Sequence, residues 1–135
     1  MKKIIVLSLA LLCCMIAFAQ QKSNDYVEVL YFHGKQRCVT CRAIEKYAKE
    51  VVYTDFAREV KAGKVRFKVV DISTAEGEKI ANNYRVTWSS LFVNGWKKGK
   101  ENRHDLTAMG FKNARQQTDV FKKELRKQIS SLLKP

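Results

Sequence analysis

Cys38 and Cys41, separated by Val39 and Thr40, are the residues in this sequence best suited to covalent chemistry. A thiolate is both a nucleophile toward sulfur and a ligand for soft metals, and two thiols three positions apart lie one turn from each other on a helix. Such a pair can carry electrons: the first sulfur attacks a disulfide and the second resolves the mixed disulfide that forms. The same spacing also serves metal capture, although zinc normally asks for a second pair of ligands. His33 and His104 are the only histidines, and their spacing does not suit a ligand knuckle. The plainer reading makes His33 a polar strand end and His104 an exposed strand or turn residue. An inert, merely buried pair is the remaining alternative. Lys35, Arg37 and Arg42 weigh against it, because nearby positive charge lowers a thiol pKa.

That chemistry needs Cys38 at a helix start, where unpaired backbone N–H groups and the macrodipole stabilise a thiolate. Residues 26–32 (YVEVLYF) are β-branched and aromatic and predict a buried strand just ahead of the pair. From about 40 to 62, Ile44, Tyr47, Ala48, Val51, Val52, Phe56 and Val60 recur at helical spacing, with Gly63 as stop. Thr54-Asp55 reads as a fresh N-cap that splits or kinks this helix. Residues 65–72 (VRFKVVDI) predict a second strand, and Ser73-x-x-Glu76 a capping box opening a helix to about Tyr84. Strand, helix and strand in this order form a parallel βαβ unit. Residues 90–93 predict a third strand ending at the turn signal Asn94-Gly95, and a fourth lies between 100 and 106. Residues 107–117 read as a loop. Thr118-Asp119 then caps a last helix with Val120, Phe121, Leu125, Ile129, Leu132 and Leu133 inward and Lys122, Lys123, Arg126 and Lys127 toward water.

The N-terminus has the three parts of a secretory signal: Lys2-Lys3, an apolar run over 4–16, and the small-x-small pattern Ala17-Phe18-Ala19. The run is short for a membrane span, so cleavage after residue 19 is preferred to a retained anchor. Cys13 and Cys14 leave with it, and residues 20–135 remain as one domain in a disulfide-permissive compartment, periplasmic or secreted. The two remaining cysteines stand too close together to staple a long loop. The chain carries 26 Lys and Arg against 13 Asp and Glu, which speaks of encounter and solubility and not of fold. Basic residues are not interleaved with aromatics and export removes nucleic acid as a partner, so an anionic membrane surface is the expected electrostatic one.

Together these residues resemble the thioredoxin superfamily. The strand YFHG, then Cys38-Val39-Thr40-Cys41 at a helix start, then VRFKVVDI, then Tyr84-Arg85-Val86 before the third strand, are similar to its pattern over about residues 26–133. The resemblance implies an α/β domain, a four-stranded mixed sheet flanked by helices on both faces. It implies that Cys38 is the attacking thiol and Cys41 the buried resolving thiol. Three departures accompany it. Val39-Thr40 stands where the family often has Gly-Pro, with Arg37 in place of a Trp before the first cysteine. The family's cis-proline falls within Trp88-Ser89-Ser90, where there is none, since the single proline is Pro135. A cis peptide at a serine costs about 3 to 4 kcal/mol, so trans bonds are expected there. The family's buried acid aligns near Leu30, which leaves Glu28, on the same strand face, as the candidate proton relay or else a solvated strand-start carboxylate.

The expected function is exported thiol–disulfide exchange on client proteins through Cys38 and Cys41, with Lys35, Arg37 and Glu28 supporting. Trp88, Ser89 and Ser90 border the substrate, and Trp88 is either a docking rim or, like Trp96, a sheet-covering residue. No GxGxxG, P-loop or HExxH is present, so no cofactor or resident metal is expected, and a membrane or periplasmic redox partner must reset the pair. The alternative is a module that captures a soft metal or metalloid between the two thiolates.

Overall fold

The computed structural model describes residues 24–135. The apolar N-terminal segment, with Cys13, Cys14 and the cleavage pattern, lies outside the described residues. Four strands form one mixed sheet: β1 (Tyr26–His33), β2 (Val65–Asp71), β3 (Ser90–Lys97) and β4 (Lys100–Asp105), in the order β2-β1-β3-β4. β1 pairs parallel with β2 and antiparallel with β3, which pairs antiparallel with β4. The parallel pair is joined through α1 (Val39–Glu50), a π-helical turn (Val51–Asp55) and α2 (Ala57–Lys61). α3 (Ala75–Tyr84) links β2 to β3, and α4 (Thr107–Asn113) and α5 (Thr118–Leu133) follow β4.

Strand alternation sends apolar side chains to both faces, so the sheet is covered on both. Val27, Val29 and Tyr31 of β1 join Ile44, Ala48, Val51, Phe121, Leu125 and Ile129 in the larger cluster, beneath α1 and α5. Leu30 and Phe32 join Val70, Ala81, Val86 and Phe92 in the smaller one, beneath α3. Burial of the large aliphatic and aromatic side chains contributes about 1.5 to 3 kcal/mol each and is the main favourable term.

Several elements differ from the expectation, each for a local reason. The long helix does break near Thr54-Asp55, but neither residue caps the next one. Phe56 stands at that position without a side-chain cap, and Asp55 instead accepts from Arg126 Nε at 2.6 Å. The π-helical turn and the break let Val51, Val52 and Phe56 all reach the core. Residues 107–117 are not a loop: α4 fills most of the stretch, packed on α1 through Gly110, where an added Cβ would meet Ile44 Cδ1 at 3.3 Å. Asn94-Gly95 is not a turn but the buried middle of β3, with Gly95 admitting Leu132. The hairpin turns at Lys98-Gly99, whose φ values of 51° and 75° suit a two-residue turn of the primed type. α5 begins after Gln117, with no side-chain cap, and Thr118 Oγ1 donates back to Ala114 O at 3.0 Å. Val120, one position before the inward Phe121, is turned outward and exposed.

The capping box is displaced by one residue. Thr74, not Ser73, is the N-cap of α3, and its Oγ1 accepts from the Gly77 N–H at 3.0 Å. Ser73 gives both its hydroxyl, at 2.6 Å, and its N–H, at 2.9 Å, to Asp71 Oδ1. Those two bonds, the hydroxyl first, hold the Asp71 carboxyl below the usual carboxylate range. Gly77 closes the junction, since a Cβ there would fall 1.8 Å from the Asp71 carbonyl oxygen. A carboxyl with a depressed folded-state pKa stabilises the fold above its unfolded pKa, and that contribution disappears as pH falls through the folded value. Asp71→Ala is therefore expected to lower the melting temperature at pH 7, with the gap from wild type narrowing below about pH 4, as thermal denaturation across that range would record.

Candidate active site

β1 ends at His33, and five residues later the chain enters α1 with Cys38 as its N-cap residue. Cys38 has extended backbone angles, and its sulfur occupies the place of a capping oxygen, accepting from the Cys41 N–H at 3.0 Å. The two cysteines are joined as a disulfide across a Cα separation of 5.0 Å. Their exposures differ in the way exchange requires: Cys38 is exposed, whereas Cys41 is 7% exposed. An incoming sulfur has access to Cys38, and Cys41 is kept for the intramolecular step.

Beneath Cys41 lies Tyr31, wholly buried, whose hydroxyl donates to the Cys41 carbonyl oxygen at 2.7 Å. This bond ties the first turn of α1 to the central strand, and the sequence reading had not singled Tyr31 out. The alternation that places Val27 and Val29 under α1 was the signal that would have found it. By the same alternation Glu28 shares a face with Leu30 and Phe32, on the α3 side of the sheet. Glu28 is thus separated from Cys41 by the sheet itself and does not stand beneath it as a relay. Burial raises its carboxyl pKa, opposed by Lys68 and assisted by Glu101.

The cations expected around the thiolate are unequal. Lys35 and Arg42 are exposed. Arg37 forms an ion pair with Glu45 and sits 5.9 Å from the Tyr31 ring centre, so much of its charge is already matched. His33 holds to the Gly34 carbonyl through Nδ1 at 3.0 Å and lies beside Tyr31. His104, on β4 opposite Val93, is separated from β1 by β3. Among the described residues no three His, Cys, Asp or Glu side chains gather as a metal site.

An open groove of about 620 Å³ passes over the disulfide, walled by Gln36, Arg37, Cys38, Trp88, Ser89 and Phe111, among others. Trp88 is 61% exposed and stacked on Phe111 of α4, with ring centres 5.2 Å apart. It forms an apolar wall of the groove, unlike Trp96, which stacks half-buried on Tyr26 at the other end of the sheet. Ser89 is buried on the same groove, where the resemblance expected a proline. Ser90 opens β3, gives its hydroxyl to the Trp88 carbonyl oxygen at 3.2 Å, and faces a neighbouring cavity. Every described peptide bond is trans. Phe111 carries no site signal in the sequence, because nothing in the local spacing of residues 107–117 marks a helix there.

Two consequences are measurable. Tyr31→Phe removes the bond to Cys41 while leaving that carbonyl its helical partner, so unfolding titrations should register a loss of about 1 kcal/mol. A carboxyl with a raised folded-state pKa contributes most when neutral, and that contribution is lost as pH rises through the folded value. Glu28→Gln should therefore gain stability relative to wild type as pH rises from about 4 toward 7 in thermal melts, with disulfide exchange rates unaffected.

No family model matches the sequence, and no curated protein matches it. Among solved structures, the chain is similar to a thioredoxin from Thermus thermophilus, solved in solution. The two are 24% identical over 76% of this chain and 73% of that one, with a TM-score of 0.48. A structure described as that of a malarial protein is 19% identical, over 73% of this chain and 96% of that one, with a TM-score of 0.41. The strand order β2-β1-β3-β4, helices on both faces and a Cys38–Cys41 pair opening the helix after β1 make this chain an α/β domain with the four-stranded mixed sheet that the sequence resemblance implies.

Proposed function

We propose that the protein is an exported thiol–disulfide oxidoreductase acting on client proteins. The observation that carries the reading is the asymmetry of the pair: an exposed Cys38 at a helix N-terminus, bonded to a buried Cys41. In the reduced protein, the Cys38 thiolate is stabilised by the helix start and by Lys35 and Arg42. It attacks one sulfur of a client disulfide; a Cys38–client bond forms, the client S–S bond breaks, and the other client sulfur leaves as a thiolate. Cys41, having lost its proton to solvent, then attacks the Cys38 sulfur and expels the second client thiolate. The client gains two electrons and the protein is left as the Cys38–Cys41 disulfide. A reduced dithiol partner in the same compartment restores it by the reverse exchange.

The groove supports a polypeptide client, because Trp88 and Phe111 offer an apolar wall beside Cys38 and Ser89 leaves space over the disulfide. That space also favours a second reading, in which the reduced thiolates hold a soft metal or metalloid ion.

Purification of residues 20–135 without oxygen, metal analysis, and a protein-disulfide reduction assay driven by a dithiol reductant separate the two. Wild type should turn over without bound metal, Cys38→Ser should lose activity by at least about a hundredfold, and Cys41→Ser should accumulate a mixed disulfide visible on non-reducing gels. Stoichiometric metal and no turnover would overturn the oxidoreductase reading.

A further inference from the structure

The end of the sheet opposite the cysteines gathers basic and aromatic residues from segments far apart in sequence. β1 is eight residues long, so its first residue lies roughly 23 Å from the end that leads to Cys38. Around that first residue converge three segments. Lys97 and Lys100 face each other across the hairpin whose turn is Lys98-Gly99. The Lys98 N–H donates to Asp25 Oδ1 at 2.9 Å, and Lys97 Nζ donates to the carbonyl oxygen of Lys134 at 2.7 Å. The Lys64 carbonyl accepts from the Val27 N–H at 2.8 Å, which brings a fifth lysine to the same end. Between them a cavity of about 380 Å³ is walled by Tyr26, Trp96, Leu132 and Leu133. Asp25 is the acidic side chain among its lining residues, and it is already bonded to the hairpin.

We infer that this lysine-rimmed end docks on the surface of an anionic phospholipid bilayer and holds Cys38 on the far side of the domain, facing away from the lipid. Three features favour a bilayer as the occupant. Lys64, Lys97, Lys98, Lys100 and Lys134 complement anionic headgroups, and each juxtamembrane lysine adds to such an attraction. Trp96 and Tyr26, half-buried and stacked with ring centres 5.8 Å apart on the α3 face of this end, and Leu132 and Leu133 on its α5 face, are amphipathic and apolar groups of the kind that settle at headgroup depth. The chain before β1, with its Lys2-Lys3 and its apolar run, joins the domain at this same end, so a nascent or membrane-held chain would present these lysines to the bilayer first. The inference concerns orientation and does not depend on which chemistry Cys38 performs.

The test uses residues 20–135, the chain expected after cleavage, whose described elements pack around both apolar clusters. Sedimentation with vesicles of phosphatidylcholine alone, or with added phosphatidylglycerol, measures binding. The expected result is binding to the anionic vesicles, released by salt, with no slowing of Cys38 labelling by a bulky maleimide after reduction. Lys97→Glu/Lys98→Asp/Lys100→Glu should weaken it by about tenfold or more. Lys64→Glu/Lys134→Glu should do so too without touching the hairpin, which covers the case in which the first variant misfolds. Arg115→Glu/Lys123→Glu/Lys127→Glu, the same charge change on exposed residues elsewhere, should have a much smaller effect. Equal losses from the two triple variants, equal binding to both vesicle types, or protection of Cys38 on bound vesicles would each overturn the inference.

Discussion

The period-two alternation of β1, locked by hydrogen-bonded neighbours on both sides, is the constraint from which the site follows. β2 pairs with β1 from Val27 to His33 and β3 from Tyr26 to Phe32, so the strand has no freedom to slip by one residue. A slip would exchange its two faces, exposing Tyr31 to the α3 side and turning Glu28 into the larger core. In the observed register Tyr31 reaches the Cys41 carbonyl, and the helix that carries Cys41 is anchored to one of the two inner strands of the sheet.

That anchorage matters because the helix start is otherwise lightly held. Its N-cap group is a sulfur, a weak acceptor, and no acidic residue lies in its first turn to complement the dipole. The arrangement keeps the positive end of the helix unneutralised and available to a thiolate at Cys38, while position is supplied from below by Tyr31 and from the side by the Arg37–Glu45 ion pair. An acidic cap would have bound the helix start more firmly and raised the energy of the thiolate. Stability at this junction therefore comes from tertiary contacts, which leave the electrostatics of the first turn to the cysteine.

Much of the architecture was legible because it rests on long periodic runs. The three β-rich segments, the helix after Cys38 and the amphipathic last helix each bury a face that repeats every two or every 3.6 residues. The failures cluster where a short-range signal met a tertiary demand. Asn94-Gly95 looks like a turn, yet β3 continues through it because Asn94 is buried, donating to Tyr84 and Glu101, and Gly95 makes room for Leu132. The segment Thr107–Asn113 lacks a long apolar stripe, yet forms a helix because Asp105 accepts from the Thr107 N–H and Gly110 lets the helix close onto Ile44. Glu28 was legible as a strand carboxylate, but which side of the sheet receives α1 is a matter of crossover handedness.

From the sequence alone came the identity of the reactive pair, its place at a helix start and the α/β order, since each is a property of residue type and spacing along one chain. Tertiary structure decided what surrounds that pair: Tyr31 and not Glu28 beneath Cys41, Phe111 behind Trp88, Ser89 but not Ser90 on the groove, and a basic, aromatic end pointing the other way. Those neighbours are contributed by segments tens of residues apart, and strand pairing and helix packing, which bring such segments together, have no signature in local spacing.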